Sequence, residues 1–359
     1  MVQTTTMQAE HLHAIARQFF MAVNTPYNIA DTVAEILVNA NLAGHDSHGI
    51  LRVPSYLEQI RAGTLKPASE LAILEESNAR LLVDSQAGFG HYASRQAMDK
   101  AITKARAENV CCVTFKPIHH IGRLGEYAEQ AARAGCIGMI TVGGGSKAGG
   151  TVLPFGAAKG ALGTNPIAIG IPTGDDTPFV LDFATSVVAR GKILVADSKD
   201  TALPPGAIVD SAGQPSVIPA DFFEGGHMLT MGNHKGYALS LLVSLLGGLG
   251  GNFVPEDAAM AGAFMQVFNV EAFMPLDQYQ QNVRAFLDGM KGLPPAADVE
   301  EVLVPGDFEY RRRSQNLEHG IEVPAPIMEE LAESAAQLGL SLDEQIIKPE
   351  DRMRYVPPN

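Results

Sequence analysis

Residues 44–56, GHDSHGILRVPSY, gather two histidines, an aspartate, a serine and an arginine into thirteen positions. Histidine changes charge near neutral pH, so His48 is suited to moving a proton on or off a substrate hydroxyl or carbonyl. Asp46 and Ser47 offer orienting hydrogen bonds beside it, and Arg52 can fork onto a carboxylate. Two other readings stand next to this one. His45 and His48, at i and i+3, can share a metal ion, although Asp46 and Ser47 do not complete a usual ligand set. The stretch can also be a polar turn in which Asp46 or Ser47 caps the following segment.

Three more stretches carry chemistry. In HHIGRLGEY (119–127), His119 and His120 stand at the end of an apolar strand just before a helix, where layered α/β proteins present sites; a capped turn is the alternative. VLDFATS (180–186) puts Asp182 at the end of another apolar strand, as a helix cap or as a partner that orients a histidine. HKGY (234–237) opens an apolar helix with Lys235 in the first turn. A cation there opposes the helix dipole unless it meets an anion such as a phosphate or carboxylate. GGGSKA (143–148) superficially fits the dinucleotide fingerprint. No helical periodicity follows it, Pro154 intervenes, and no acid stands about twenty residues on to hold a ribose. A glycine-rich segment whose amides approach a ligand closely fits better than a Rossmann loop.

The elements that must position these residues follow from periodicity. Apolar residues at helical spacing predict helices over 9–23 and 29–43, the second ending at Gly44 as a left-handed stop. Short helices are expected over 53–61 and 124–134, longer ones over 92–108, 186–196, 234–247, 276–290 and 325–338. Strands are expected over 71–74, 79–83, 110–115, 137–142, 167–171, 179–183 and 266–270. Strands and helices in alternation predict an α/β layered core.

Composition limits the function classes. A net charge of −14 and no basic run longer than Arg311-Arg312-Arg313 argue against a nucleic-acid surface. A local arginine can still hold an anionic substrate. Cys111, Cys112 and Cys136 lack a framework spacing, which argues against a disulfide scaffold and for the cytoplasm. No signal pattern opens the chain, and the most apolar stretch, 239–251, is too short for the roughly 20 residues of a membrane helix.

Together these blocks resemble the type-2 malate/L-lactate dehydrogenase family. The resemblance runs through GHDSHGILRVPSY (44–56), HHIGRLGEYAE (119–129), GTNPIAIGIP (163–172), LDFATSVVARGKI (181–193), HKGYAL (234–239) and VPGDFE (304–309). The first two blocks are most similar to the hydroxycarboxylate dehydrogenase B branch. It implies a non-Rossmann nicotinamide-binding α/β fold of two domains with a mixed sheet, usually a homodimer. A substrate and dimerisation domain is expected from 1–116 plus 300–359, and an NAD(P)-binding domain from 117–299. The implied activity is hydride transfer between NAD(P)H, as NAD or NADP, and a small 2-oxo or 2-hydroxy acid; the alternative is a cyclic imine reductase of the piperideine-2-carboxylate type. In this likeness His48 is the general acid/base, oriented by Ser47 and Asp182, with His120 as a second candidate for that role. Arg52 grips the substrate carboxylate and Thr164 lies near the substrate. The cofactor is faced by His120, Gly144, Asp182, Phe183, Ala184, Lys235, Gly236, Pro305, Gly306 and Asp307, and no metal is expected. His119 departs from the asparagine common in the family, which leaves the division of labour between the histidines open.

Overall fold

The computed structural model describes residues 4–144, 149–198, 200–251, 261–342 and 354–355. The chain starts with β1 (Thr4–Met7), then the helix pair α1 (Ala9–Ala22) and α2 (Tyr27–Leu42). After two short 3-10 turns come α3 (Val53–Arg61), β2 (Ala72–Ser77), β3 (Arg80–Asp84), α4 (Gly90–Glu108), β4 (Val110–Phe115), α5 (Gly125–Arg133) and β5 (Cys136–Gly143). The middle holds β6 (Ile167–Ile171), β7 (Phe179–Phe183), α6 (Arg190–Ser198), β8 (Ile208–Val209), β9 (Pro215–Ser216), α7 (Pro219–Phe223), β10 (His227–Met228) and α8 (His234–Gly247). The chain then returns through β11 (Gly262–Asn269), α9 (Leu276–Lys291), α10 (Asp307–His319), β12 (Ile321–Pro324) and α11 (Ala325–Leu338).

A seven-stranded sheet in the order β2-β3-β4-β11-β5-β6-β7 forms the spine. It is mixed, as expected. The β3–β4 pair is parallel because helix α4 carries the chain across, while every other neighbouring pair is antiparallel. Helices α4 and α5 bury the Ala93, Ala97, Ala101 and Ala105 stripe and the Ala128 and Ala131 face against β4, β5 and β11. Those small side chains let the helix backbone come close. At Gly138 even one added carbon would lie 2.3 Å from the Ala131 methyl. Because the sheet takes strands from both sides of position 116, it is one continuous layer through the molecule.

A second apolar core lies beside the sheet. Leu12, Ile15, Phe19 and Phe20 of α1 meet Ile29, Val33 and Leu37 of α2, all essentially out of water, with Tyr56, Phe89 and Leu331 closing over them. Each such side chain contributes about 1.5–3 kcal/mol by leaving water. The C-terminal strand β12 pairs with β1 and brings α11 onto this core. A third, smaller cluster around Val152, Ile193, Ile208 and Met228 supports the β8–β9–β10 sheet. No described helix is long and apolar enough to cross a membrane.

Helix α2 stops as its sequence demands. Gly44 takes φ +79°, His45 N donates to Ala40 O at 2.8 Å and Gly44 N to Asn41 O at 2.9 Å, the two bonds of a Schellman end. Buried Asn41 then fixes the turn that follows. Its Nδ2 donates to Asp46 Oδ1 at 2.7 Å and its Oδ1 accepts from Ile50 N at 2.8 Å. Gly49 is held so close that an added Cβ would lie 2.1 Å from that Oδ1. Asn41→Ala leaves the buried Ile50 amide unpaired and frees the exposed Asp46 carboxylate, so thermal or urea unfolding is expected to show a loss of about 1–3 kcal/mol.

Candidate active site

Two 3-10 turns, Asp46–His48 and Ile50–Arg52, lead straight into α3 and so place His48, Arg52 and Tyr56 on one rigid run. Arg52 Nε donates to Ser47 O at 2.7 Å, tying the arginine stem to the turn. Ser47 faces the first turn of α6, where the absent side chain of Gly191 matters: a Cβ there would sit 2.3 Å from Ser47 Cβ. His45 turns away from His48 and meets Glu309 of α10 at 3.3 Å, a contact that lowers the Glu309 pKa. The two histidines that could have shared a metal therefore serve different neighbours. Among the described residues no group of His, Cys, Asp and Glu is placed to hold a metal ion.

The histidines separate again at 119–120. His119 is buried, with Nε2 bound to Thr64 O at 2.9 Å, and supports the loop. His120 turns towards 44–56: its Nε2 lies 3.1 Å from His48 Nδ1 and its Nδ1 2.6 Å from Tyr56 Oη. The His48 and His120 rings stack at 5.2 Å with an interplanar angle of 12°. Ser47, His48, Arg52 and His120 are partly exposed, whereas Tyr56 and His91 behind them are buried. Burial, together with the Arg52, His45 and Arg123 charges, drives the His48 pKa down to about 3. Burial does most to hold His120 well below its usual value, with His48, His91 and Arg52 adding to it. The cluster is a set of neutral imidazoles beside a permanent cation.

Asp182 does something other than orient His48. At the carboxyl end of β7 its Oδ2 accepts Gly125 N at 2.7 Å, capping the start of α5 from another part of the chain. Burial raises its pKa, opposed by Arg123 and by the Gly125 amide. Arg123 lies 3.9 Å from Asp182 and donates to Glu129 at 2.6 Å. Burial works against its charge, and the Glu129 and Asp182 carboxylates more than restore it. This buried group ties the 119–124 loop, which carries His120, to the central sheet.

Farther along, Thr164 O accepts from both the backbone and the hydroxyl of Thr185, which ties the 163–166 turn to the segment just past β7. Buried Asn165, in the left-handed region at φ +42°, accepts from Gly144 N at 3.3 Å. It donates to Ser240 and Ser244 of α8 at 2.9 Å. Gly144 is thereby fixed, while positions 145–148 of the glycine-rich motif lie outside the described residues. Phe183 and Ala184 are half-buried. Lys235 is exposed in the first turn of α8, and Gly236 packs so tightly that a Cβ would lie 2.1 Å from Met231 O. The Pro305-Gly306-Asp307 turn leans on β7: Pro305 O accepts from Val180 N, and Asp307 binds Val304 N and Lys291.

The candidate side chains His48, Arg52 and His120 are legible in the sequence, whereas the residues that hold them are not. Tyr56 and Asn165 stand in the sequence only as members of the blocks 44–56 and 163–172, and no local motif gives Asn41 or His91 a role. For Asn41 and His91 the available signal is a polar residue inside an otherwise apolar helical stripe, since a buried polar group needs partners; Asn165 lies in a turn and gives no such signal.

The sequence pattern of the malate/L-lactate dehydrogenase family matches residues 7–332. Hydroxycarboxylate dehydrogenase B of Escherichia coli is 35% identical over 344 residues, 92% of this chain and 94% of that one. L-sulfolactate dehydrogenase of Methanocaldococcus jannaschii is 35% identical over 89% of this chain and 94% of its own length. Its solved structure superposes with a TM-score of 0.85 at 32% identity, covering 94% of this chain and 98% of that chain. The structure of delta1-piperideine-2-carboxylate reductase from Pseudomonas syringae pvar. tomato superposes at 0.82 with 30% identity, covering 92% and 100%. The chain belongs to the malate/L-lactate dehydrogenase family, and its relatives are 2-hydroxy acid dehydrogenases and reductases.

The depressed histidines have a consequence for stability. The unfolded chain takes up protons at imidazoles near pH 6.5, while His48 and His91 in the folded protein resist until about pH 3. Between those values the unfolded state binds more protons. The contribution of these histidines to folding stability is therefore fully present above pH 6.5 and is lost as pH falls towards 3. Urea midpoints measured across that window are expected to fall with pH, and to fall less in a His91→Phe variant.

Proposed function

We propose that this protein reduces small 2-oxo acids to 2-hydroxy acids, and oxidises them in reverse, with NADH or NADPH as hydride donor. The observation that carries the reading is the pairing of His48 Nδ1 with His120 Nε2, on the same turn that fixes Arg52. With Nδ1 engaged, Nε2 of His48 is the nitrogen left to meet a substrate oxygen. Arg52 presents a planar fork of donors suited to a carboxylate. A carboxylate there also offsets the positive charge that helps to depress His48, so the bound substrate favours a protonated His48 when a proton must be given. Thr164, held by Thr185, forms the far wall in this reading.

The residues present suit a pyridine nucleotide. Lys235 is exposed, makes no ion pair among the described residues and stands at a helix start without a side-chain cap, which are the features of an anion site. Gly144, the half-buried Phe183 and Ala184, and Gly236 would hold the rest, with Asp182, His120 and the 305–307 turn bordering it. The bound nicotinamide supplies or receives the hydride. His48 holds the proton that balances it, and positioning contributes about 7–11 kcal/mol of the rate gain. In this reading 1–116 plus 300–359 form the substrate and dimer face and 117–299 the cofactor face, as surfaces on one continuous sheet. A homodimer is supported by the apolar α8, which leaves Leu242 and Leu245 48% and 56% exposed. The three free cysteines favour a reducing compartment such as the cytoplasm.

A second reading, reduction of the C=N bond of a cyclic imine carboxylate, is favoured by the likeness to the piperideine-2-carboxylate reductase. Such a substrate offers the same carboxylate beside an sp² carbon. A matrix of 2-oxo acids and cyclic imines against NADH and NADPH, read by absorbance, separates the two. His48→Ala is expected to keep cofactor binding and lose turnover at least about 100-fold; unchanged turnover removes His48 from the mechanism. Arg52→Ala is expected chiefly to raise KM for 2-oxo acids. Normal binding in that variant assigns the carboxylate to another residue.

A further inference from the structure

We propose that His91, acting through Tyr56, is a positioning residue: it accepts the Tyr56 hydroxyl proton and so sets the direction of the hydrogen-bond chain that ends at His48. The inference rests on the acid/base reading of His48. His91 is the second residue of α4 and is fully buried. Its ring is enclosed on three sides. Gly122, at φ +78°, would bring a Cβ within 2.9 Å of Nε2, and the rings of Tyr56 and His120 lie 5.4 and 5.6 Å away. One residue earlier, Gly90 lets the start of α4 close onto the carbonyls of His119 and His120, which a Cβ would meet at 2.4 and 2.5 Å. A helix start, the 119–124 loop and α3 are thus fitted around one imidazole.

The contacts run in series: His48 Nδ1 to His120 Nε2 at 3.1 Å, His120 Nδ1 to Tyr56 Oη at 2.6 Å, and Tyr56 Oη to His91 Nε2 at 3.4 Å. Burial keeps all three imidazoles neutral, so each carries one N–H. A phenol has one proton to donate, and that leaves two orientations. If Tyr56 donates to His91, His120 donates from Nδ1 to Tyr56, His48 donates from Nδ1 to His120, and His48 Nε2 bears a lone pair. That is the form that can take the substrate hydroxyl proton and return it. If Tyr56 donates to His120 instead, every bond reverses, and His48 carries its proton on Nε2 with Nδ1 blocked as an acceptor. It then cannot serve as a base. With its proton on Nδ1, His91 presents Nε2 as an acceptor to the Tyr56 hydroxyl, and that tautomer selects the first orientation. Only the hydroxyl proton moves, from the substrate oxygen to His48 Nε2; the other bonds keep their sense.

Packing alone does not account for the residue. Nδ1 of His91 has no hydrogen-bond partner among the described residues, and a buried, half-satisfied imidazole is less stable than an apolar ring of similar size. The same substitution should therefore pull stability and function in opposite directions.

The test uses His91→Phe, His91→Gln and Tyr56→Phe in the full chain. His91→Phe is expected to melt no lower than the parent yet to lose about 10- to 100-fold in kcat for 2-hydroxy acid oxidation, with KM little changed and the pH–rate profile shifted. His91→Gln, whose amide oxygen can accept from Tyr56, is expected to recover most of that loss, and Tyr56→Phe to behave like His91→Phe. Independently of turnover, ¹⁵N-histidine NMR of the ligand-free protein should show His48 protonated on Nδ1, and the tautomer should shift in His91→Phe and Tyr56→Phe. Parent-like kcat and pH profile in His91→Phe, or a His48 tautomer indifferent to both variants, overturns the proposal. Failure of the parent to turn over any 2-hydroxy acid while the tautomers shift as described would instead overturn the acid/base reading and leave the orientation of the chain established.

Discussion

Keeping imidazoles neutral next to a permanent guanidinium is the constraint around which this molecule is arranged. Neutral partners favour the uncharged rings of His48 and His120, because a charged ring beside Arg52 would meet both desolvation and repulsion. The protein answers with imidazole against imidazole and imidazole against phenol, set on three separate pieces of chain. Those pieces must then be held in register to within the tolerance of a hydrogen bond.

The register comes from polar groups buried for that purpose. Asn41 shapes the turn carrying His48, and the Asp182, Arg123 and Glu129 cluster fastens the loop carrying His120. Arg95 bridges Glu35 of α2 and Glu126 of α5, joining the helices on which both depend. The three arginines of α10 join other parts of the structure rather than forming a basic patch. Arg311 pairs with Glu301, Arg313 reaches Asn39, and Arg312 lies along Gly44.

Much of this was legible in the sequence because periodicity and hydropathy are local properties. The α2 stripe with its stop at Gly44, the strands at 110–115, 167–171 and 179–183, and the apolar helix at 234–247 all stand where spacing puts them. Helix α6 begins at Arg190 rather than 186, because Ser186 and Val187 are engaged by Thr230 and Leu229 in bridging contacts no local pattern can show. Helix α10 leaves no local trace for a different reason: DFEYRRRSQNLEH has no apolar stripe, and Arg313 and Asn316 tie it to α2. Strands β1 and β12 are invisible singly, since each exists only through pairing with the other end of the chain. At the site the reactive types could be read, but their partners could not. That His120 rather than His119 reaches His48, and that Asp182 caps a helix start, are facts of three-dimensional packing.

The contact between Gly191 and Ser47 bears on how this part of the fold can vary. With 2.3 Å available, position 191 admits no side chain unless the first turn of α6 moves bodily away. The spacing of that helix from the histidine turn is accordingly fixed by main chain against side chain, and it cannot be tuned by exchanging one residue there for another. Any change in that spacing has to come from Ser47, from neighbouring positions or from a shift of the whole helix.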